Sequence, residues 1–246
     1  MPQNSLLFNT IYYKTLSSSN NEAIRLASTG APEGVVVVCA EQTAGRGQRD
    51  NRWESAPGDN LTMSLILRPV DMATNKLFIL SKAFSLAVVR SLNHYGINAS
   101  IKWPNDIYVE TRKIAGILIE HSFLGNGLIF SVIGLGLNVN QVVFPSMDIV
   151  PTSIAAETGK NNHDINEIMF STLNNFSALY KSDRDTIHNG YMEKLYRKNG
   201  FFPYKTKSGK TLIAEIYDVT DFGELILKDK NNKCNSFLFK EITYIS

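Results

Sequence analysis

Between Glu41 and Trp53 the chain reads EQTAGRGQRDNRW, and this stretch concentrates side chains able to bind and polarise a ligand. Gly45 and Gly47 let backbone N–H groups come close to a ligand. Arg46, Arg49 and Arg52 carry guanidinium forks matched to carboxylate or phosphate oxygens. Trp53 offers a flat stacking face, and Gln42 and Gln48 carry amides that both donate and accept. Such a loop can order around an anion joined to a flat ring; the plainer alternative is a solvated basic loop. Three further groups stand out. Asn105 and Asp106 follow Lys102-Trp103-Pro104 at a junction between two strand-like runs, where polar side chains reach a cleft rather than a core, although both residues also favour turns. Lys113 opens the next run close to Gly116, and a glycine inside a strand often marks the close approach of a ligand or another backbone. Ser17-Ser18-Ser19-Asn20 precedes a short helix, presenting hydroxyls and an amide at its N-terminus, with simple helix capping as the competing reading.

These residues need a scaffold, and hydrophobic spacing outlines one. Weak alternation over 5–13 predicts a strand, and N-cap chemistry before Glu22 with Gly30 beyond it predicts a helix over 20–29. The β-branched run Val35 to Ala40 and the alternating run Leu61 to Leu67 predict strands on either side of the Gly/Arg loop. A helix is expected over 74–95. Strands are expected near 99–103 and 106–109, then from Lys113 to His121 and from Leu128 to Val139, the last two joined by the Gly125-Asn126-Gly127 hairpin signal. Helices are expected over 151–159, 164–181 and 184–198. From Phe201 onward short alternating runs are divided by Ser208-Gly209, Asp221-Phe222-Gly223 and Asn231-Asn232, which predicts a small five-strand barrel or sandwich.

Bulk properties narrow the function. At 246 residues and 43% apolar content the chain can build a full core. Its 25 basic and 23 acidic residues leave a net charge of +2, which argues against a dominant nucleic-acid footprint. Cys39 and Cys234 are far apart and lack metal-ligand spacing, as do the four histidines, which fits a reduced cytoplasmic setting. The N-terminus has no basic region followed by a sustained apolar run, and no apolar run is long enough to span a membrane. Gly45-Arg46-Gly47 does not extend to a dinucleotide fingerprint, because Asp50 stands at the sixth position and no helix follows. Gly209-Lys210-Thr211 lacks the upstream glycine of a phosphate loop, since Tyr204 stands there. No Ser, Cys or Thr lies in a nucleophile-elbow pattern.

Taken together, SSSN at 17–20, QTAGRG at 42–47 with Trp53, KWPND at 102–106, RKIAGILIE at 112–120 and GLGLNVN at 134–140 resemble the biotin–protein ligases in both order and spacing, over nearly the whole chain. The resemblance implies an α+β fold. A mixed-sheet catalytic domain flanked by helices, binding biotin and ATP, would occupy 1–198, and a small SH3-like β-barrel module 199–246. It implies ATP-dependent formation of biotinyl-5′-adenylate, with Mg²⁺, then transfer of biotin to a lysine of a biotin carboxyl carrier domain. On this resemblance Arg46, Lys113 and Asp106 are catalytic. Ser18, Ser19, Asn20, Gln42, Gly45, Arg46, Gly47, Gln48, Lys113 and Gly116 bind biotin, with Ile117 and Ile119 among the apolar flanks of the ring pocket. Arg46, Arg49, Trp53, Lys102, Asn105 and Asn138 serve the nucleotide, and no metal ligands are assigned. Many members carry Arg where Gln48 stands and Gly where Asp50 stands, which lowers the positive charge near the phosphates unless Arg49 or Arg52 compensates. Some members carry an N-terminal DNA-binding domain; with SSSN at residue 17, the single-function form is expected, as a monomer or homodimer without DNA or membrane partners. A lipoate–protein ligase of the same fold, or a non-catalytic biotin-binding module, are the alternative readings.

Overall fold

The most apolar runs take the most protected positions. In the computed structural model, which describes residues 6–48, 51–70, 72–146 and 149–245, β2 (Val35–Gln42) and β3 (Leu61–Leu67) lie inside a seven-stranded sheet, and every residue of β3 is buried. The other members are β1 (Asn9–Leu16), β4 (Ala99–Lys102), β5 (Asp106–Val109), β6 (Arg112–Leu124) and β7 (Gly127–Leu137). Their order is β1-β2-β3-β7-β6-β5-β4. Only β1 and β2 run parallel, joined by helix α1 (Ser19–Ser28); the remaining neighbours are antiparallel.

Two layers of helix cover this sheet. On one face α1 sets Ala23 and Ala27 against Val35, Val37, Ile66 and Val132. On the other, α2 (Phe78–Asn93) packs with α4 (Ile165–Tyr180) and α5 (Arg184–Glu193). Helix α2 is buried along nearly its whole length, polar Ser81, Lys82, Ser85 and Ser91 included. A short helix, α3 (Ile154–Thr158), is N-capped by Ser153. Asp164 and Asp183 cap α4 and α5 through their carboxylates, the interaction their side chains are suited to make. Among the described residues no helix is long and apolar enough to cross a membrane.

Strands β8 (Phe202–Thr206), β9 (Thr211–Val219), β10 (Leu225–Asp229), β11 (Cys234–Phe237) and β12 (Ile242–Tyr244) form a second, antiparallel sheet in the order β11-β10-β9-β8-β12. The expected closed barrel is corrected here: the pairing stops at β11 and β12, which are only four and three residues long and do not pair with each other. Nor does this sheet keep a core to itself. Tyr204, Ala214, Ile216, Val219, Leu225, Leu227 and Ile242 belong to the same buried cluster as α2 and α5.

Polar fasteners cross the same boundary. Lys82 of α2 is almost fully buried, and its Nζ donates to the Val219 carbonyl (2.7 Å) and lies 2.9 Å from His188 Nδ1. Burial lowers the Lys82 pKa, opposed by the nearby Asp218 and Asp221 carboxylates. Trp103 Nε1 donates to the Gly223 carbonyl at 2.9 Å. The second sheet is thereby tied directly to the turn that carries Asn105 and Asp106.

Candidate active site

A cleft of about 290 Å³ opens over the β6–β7 part of the large sheet. Helix α1 supplies one wall through its N-terminus, the 42–53 loop a second, the Trp103–Asp106 turn a third, and the 239–244 segment of the second sheet a fourth. The last wall was not foreseen from sequence: Phe239, Ile242 and Tyr244 read as ordinary apolar positions of a strand-rich segment, and only the tertiary fold brings them here.

The floor is set by two glycines of β7. A Cβ at position 134 would lie 2.1 Å from Asn20 Oδ1, and one at position 136 would lie 2.2 Å from the Trp53 indole. Contacts that short are excluded for a side chain, so glycine at these two positions is what admits Asn20 and the indole. Trp53 lies with one face on Gly136, and Lys113 Nζ is 5.9 Å from its ring. The indole Nε1 and Gln48 Oε1 are both buried and have no hydrogen-bond partner among the described residues. Leaving a buried polar atom unsatisfied costs about 1–3 kcal/mol, so both favour a ligand with complementary groups.

The Gly/Arg loop is more ordered than its length and composition suggest. Gly47 N–H donates to the Asn51 carbonyl (2.8 Å), Trp53 N–H to the Gly45 carbonyl (3.1 Å), and Arg46 bridges to Arg52. The segment is therefore a narrow hairpin laid across the cleft mouth. Arg49 and Asp50 lie outside the described residues. The Arg46 fork is engaged by protein: Nη1 donates to Asn21 Oδ1 and Nη2 to Glu120 Oε1.

At the opposite side Lys113 Nζ meets Asp106 Oδ1 at 2.7 Å, with both side chains mostly shielded. Lys102 lies 3.1 Å from the Tyr108 hydroxyl and above the rings of Tyr108 and Tyr244; burial lowers its pKa, with Asp106 opposing. Asn105 Nδ2 donates to the Ile117 carbonyl (2.7 Å), which leaves its side-chain oxygen free to accept from a ligand.

At the α1 end, Ser18 occupies the N-cap position without a side-chain capping bond, so capping does not explain it. Ser19 N–H donates instead to Gln42 Oε1 (2.7 Å). Ser64 donates to Asn20 Oδ1 (2.6 Å) and lies 2.8 Å from the Ser19 hydroxyl. Asn20 Nδ2 donates to Glu120 Oε2 (2.9 Å) and the Leu118 carbonyl (3.3 Å).

Ser18, Ser19, Asn20, Gln42, Arg46, Gly47, Gln48, Trp53, Lys102, Asn105, Asp106, Lys113 and Gly116 thus share one cleft. Asn138 and Gly45 do not line it. Asn138 is buried, its side-chain amide donates to the Thr152 carbonyl (2.9 Å) and its backbone carbonyl accepts from Ile154 N–H. Gly45 is a buried position of the hairpin itself, where a Cβ would lie 2.3 Å from the Trp53 carbonyl. Ile117 lines the cleft, whereas Ile119 faces an adjoining hollow with Phe78, His121 and Phe222.

A profile of the Biotin/lipoate A/B protein ligase family matches residues 13–138, about half of the chain. A biotin–[acetyl-CoA-carboxylase] ligase of Paracoccus denitrificans is 31% identical over 233 residues, covering 86% of this chain and 90% of that protein. The chain belongs to the biotin protein ligase family. The bifunctional ligase/repressor BirA of Bacillus subtilis is 40% identical over 154 residues, covering 61% of this chain and 47% of that relative, so the match spans about half of BirA's length. Among solved biotin protein ligases, the Aquifex aeolicus enzyme in complex with biotin and ATP superposes with a TM-score of 0.78 at 23% identity, covering 96% of this chain and 97% of that one. At that identity the likeness speaks to the fold.

Proposed function

We propose that this chain activates biotin with ATP as biotinyl-5′-adenylate and passes the biotinyl group to a lysine amine of a biotin carboxyl carrier domain. The observation that carries this reading is the cleft itself: one end holds hydroxyls and amides, the other an oriented lysine, and an indole on a glycine floor lies beside that lysine. A bicyclic ureido group requires donors and acceptors together, which suits Ser18, Ser19, Gln42 and the unpartnered Gln48 Oε1. Asn20 has its amide committed to Ser64, Glu120 and Leu118, so in this reading it shapes the pocket rather than serving as a free donor.

In the first step a biotin carboxylate oxygen attacks the α-phosphorus of ATP, and the bond to pyrophosphate breaks with its electrons leaving on pyrophosphate. Lys113, aimed by Asp106, stabilises the charge that develops on the carboxylate and phosphate oxygens. Arg46, whose guanidinium has N–H donors beyond the two given to Asn21 and Glu120, and Arg49 are the further cationic donors, with Lys102 on the nucleotide side. The exposed face of Trp53 stacks on adenine, and the Asn105 carbonyl oxygen serves the nucleotide. In the second step the neutral carrier amine attacks the acyl carbon, AMP departs with the bond electrons, and the amine sheds a proton toward Asp106. Positioning the acid against the α-phosphate supplies much of the rate advantage.

Among the described residues no three His, Cys, Asp or Glu side chains cluster to hold a metal ion. Magnesium in this reading accompanies the nucleotide, coordinated by its phosphate oxygens and water. Support for the substrates comes from relatives named biotin–[acetyl-CoA-carboxylase] ligases in Paracoccus denitrificans and Mycobacterium tuberculosis, and from solved structures of this fold with biotin and ATP or with biotinyl-5-AMP.

The test is direct: incubation with labelled biotin, ATP and Mg²⁺, followed by a biotin carrier domain, should leave label on the carrier lysine. Label transfer from lipoate but not biotin would instead assign a lipoate ligase. Binding of biotin with neither pyrophosphate nor transfer would assign a binding module.

A further inference from the structure

Two walls of the cleft, helix α1 and the 45–53 hairpin, meet on a side chain that the mechanism above does not use. Glu120 lies on β6, where it pairs with Val132 of β7 in a ladder running from Ala115 to Leu124. Its backbone is therefore fixed by the sheet. Its two carboxylate oxygens serve different segments of chain: Oε2 accepts from Asn20 Nδ2 at 2.9 Å, and Oε1 accepts from Arg46 Nη2 at 2.5 Å. The remaining contacts keep both donors on this carboxylate. Asn20 is wedged over Gly134 with its oxygen held by Ser64, so its Nδ2 can only face β6. Arg46 is steadied by Asn21 through Nη1.

We propose that Glu120 is a positioning residue, a clasp that pins the arginine-bearing hairpin across the cleft and fixes the direction of the Asn20 amide. An ionised carboxylate accepts at both oxygens, so it can satisfy two donors on two segments at once. An amide cannot. Glu120→Gln retains one acceptor oxygen for Asn20 and turns its NH₂ toward the Arg46 guanidinium, donor against donor. That substitution therefore opens the hairpin half of the clasp and spares the helix half. Glu120→Ala removes both. Glu120→Asp keeps the charge but withdraws it by one methylene. With Arg46 40% and Glu120 26% exposed, the ion pair sits at the modest end of the scale, about 2- to 5-fold in an equilibrium.

The kinetic part of the test rests on the biotin-activating reading; the structural part does not. Without ligand, proteinase K should nick the 43–52 segment about 2- to 5-fold faster in Glu120→Gln than in wild type, with Glu120→Asp in between. In pyrophosphate release, Glu120→Gln should raise KM for biotin by a similar factor while kcat stays within about twofold. Glu120→Ala should raise KM further, because Asn20 loses its guide. Wild-type nicking together with wild-type KM in Glu120→Gln would overturn the clasp. If wild type itself released no biotin-dependent pyrophosphate, the functional reading would fail, and the nicking arm alone would still decide the clasp. Should Glu120→Gln melt below the assay temperature, Arg46→Gln breaks the same bond from the other side and is read by the same nicking rate.

Discussion

On the proposed function, Trp53→Ala should separate nucleotide binding from binding of the acid. The indole is half-buried, lies with one face on Gly136 and, among the described residues, has no hydrogen bond at Nε1. It is also absent from the hydrophobic core. Removing it therefore takes away no structural hydrogen bond and little core packing, and the melting temperature should move by only a few degrees. What is lost is a stacking surface, worth about 1–3 kcal/mol per base, or about 5- to 150-fold in affinity. Calorimetric binding of ATP and of a non-hydrolysable biotinyl-adenylate analogue should both weaken within that range, with biotin alone changed less than about twofold. Gly136→Ala provides a control that keeps the indole but evicts it, because its Cβ would lie 2.2 Å from the ring. It should copy the ATP defect. Biotin affinity that fell as far as ATP affinity in Trp53→Ala would place the indole against the acid and refute the reasoning.

Other perturbations follow from the same geometry. Lys113→Ala should lower the rate of pyrophosphate formation about 10²- to 10³-fold, the loss seen when one transition-state donor is removed, with near-native melting; normal turnover in a folded variant would exclude Lys113 from the chemistry. Gly134→Ala drives a methyl into the Asn20 amide and should destabilise the protein by about 1–3 kcal/mol in urea unfolding, a cost that Gly127→Ala, with nothing closer than 3.6 Å, should not show. His121 is neutral by burial, which lowers its pKa below the unfolded value of 6.5, and its Nδ1 lies 2.8 Å from the Ser131 hydroxyl. The unfolded chain then binds more protons as pH falls below 6.5, so stability is complete above that value and declines beneath it. Urea midpoints at pH 7.5 and 5.5 should differ more in wild type than in His121→Gln, and an unchanged difference would remove His121 from the acid response.

Local chemistry made much of this molecule legible. Strand β3 was marked by the alternation of Leu61, Met63, Leu65 and Leu67, and helix α4 by its Asp164 cap and apolar stripe. What the sequence could not show is where tertiary register sends a side chain. Asn138 follows Gly134 and Gly136 in the run GLGLNVN, yet its amide donates to the Thr152 carbonyl while Gly136 lines the cleft. Glu120 reads as the polar residue of an alternating strand; only the approach of Asn20 and Arg46, 100 and 74 positions away, makes it a junction. The second sheet was visible as a run of short strands, but not that Phe239 and Tyr244 would wall the cleft or that α2 would send Lys82 beneath it. Open edges at β11 and β12 likewise depend on strand lengths that turn signals do not define.

Pyrophosphate release from ATP in the presence of biotin, with no carrier protein added, tests the central claim most directly, because it isolates the step that the proposed function assigns to Lys113, Asp106 and Trp53. The wild-type protein should release pyrophosphate with biotin and far less with lipoate, and labelled biotin should be recovered as its adenylate. A folded protein that binds biotin and ATP yet releases no pyrophosphate would contradict the account.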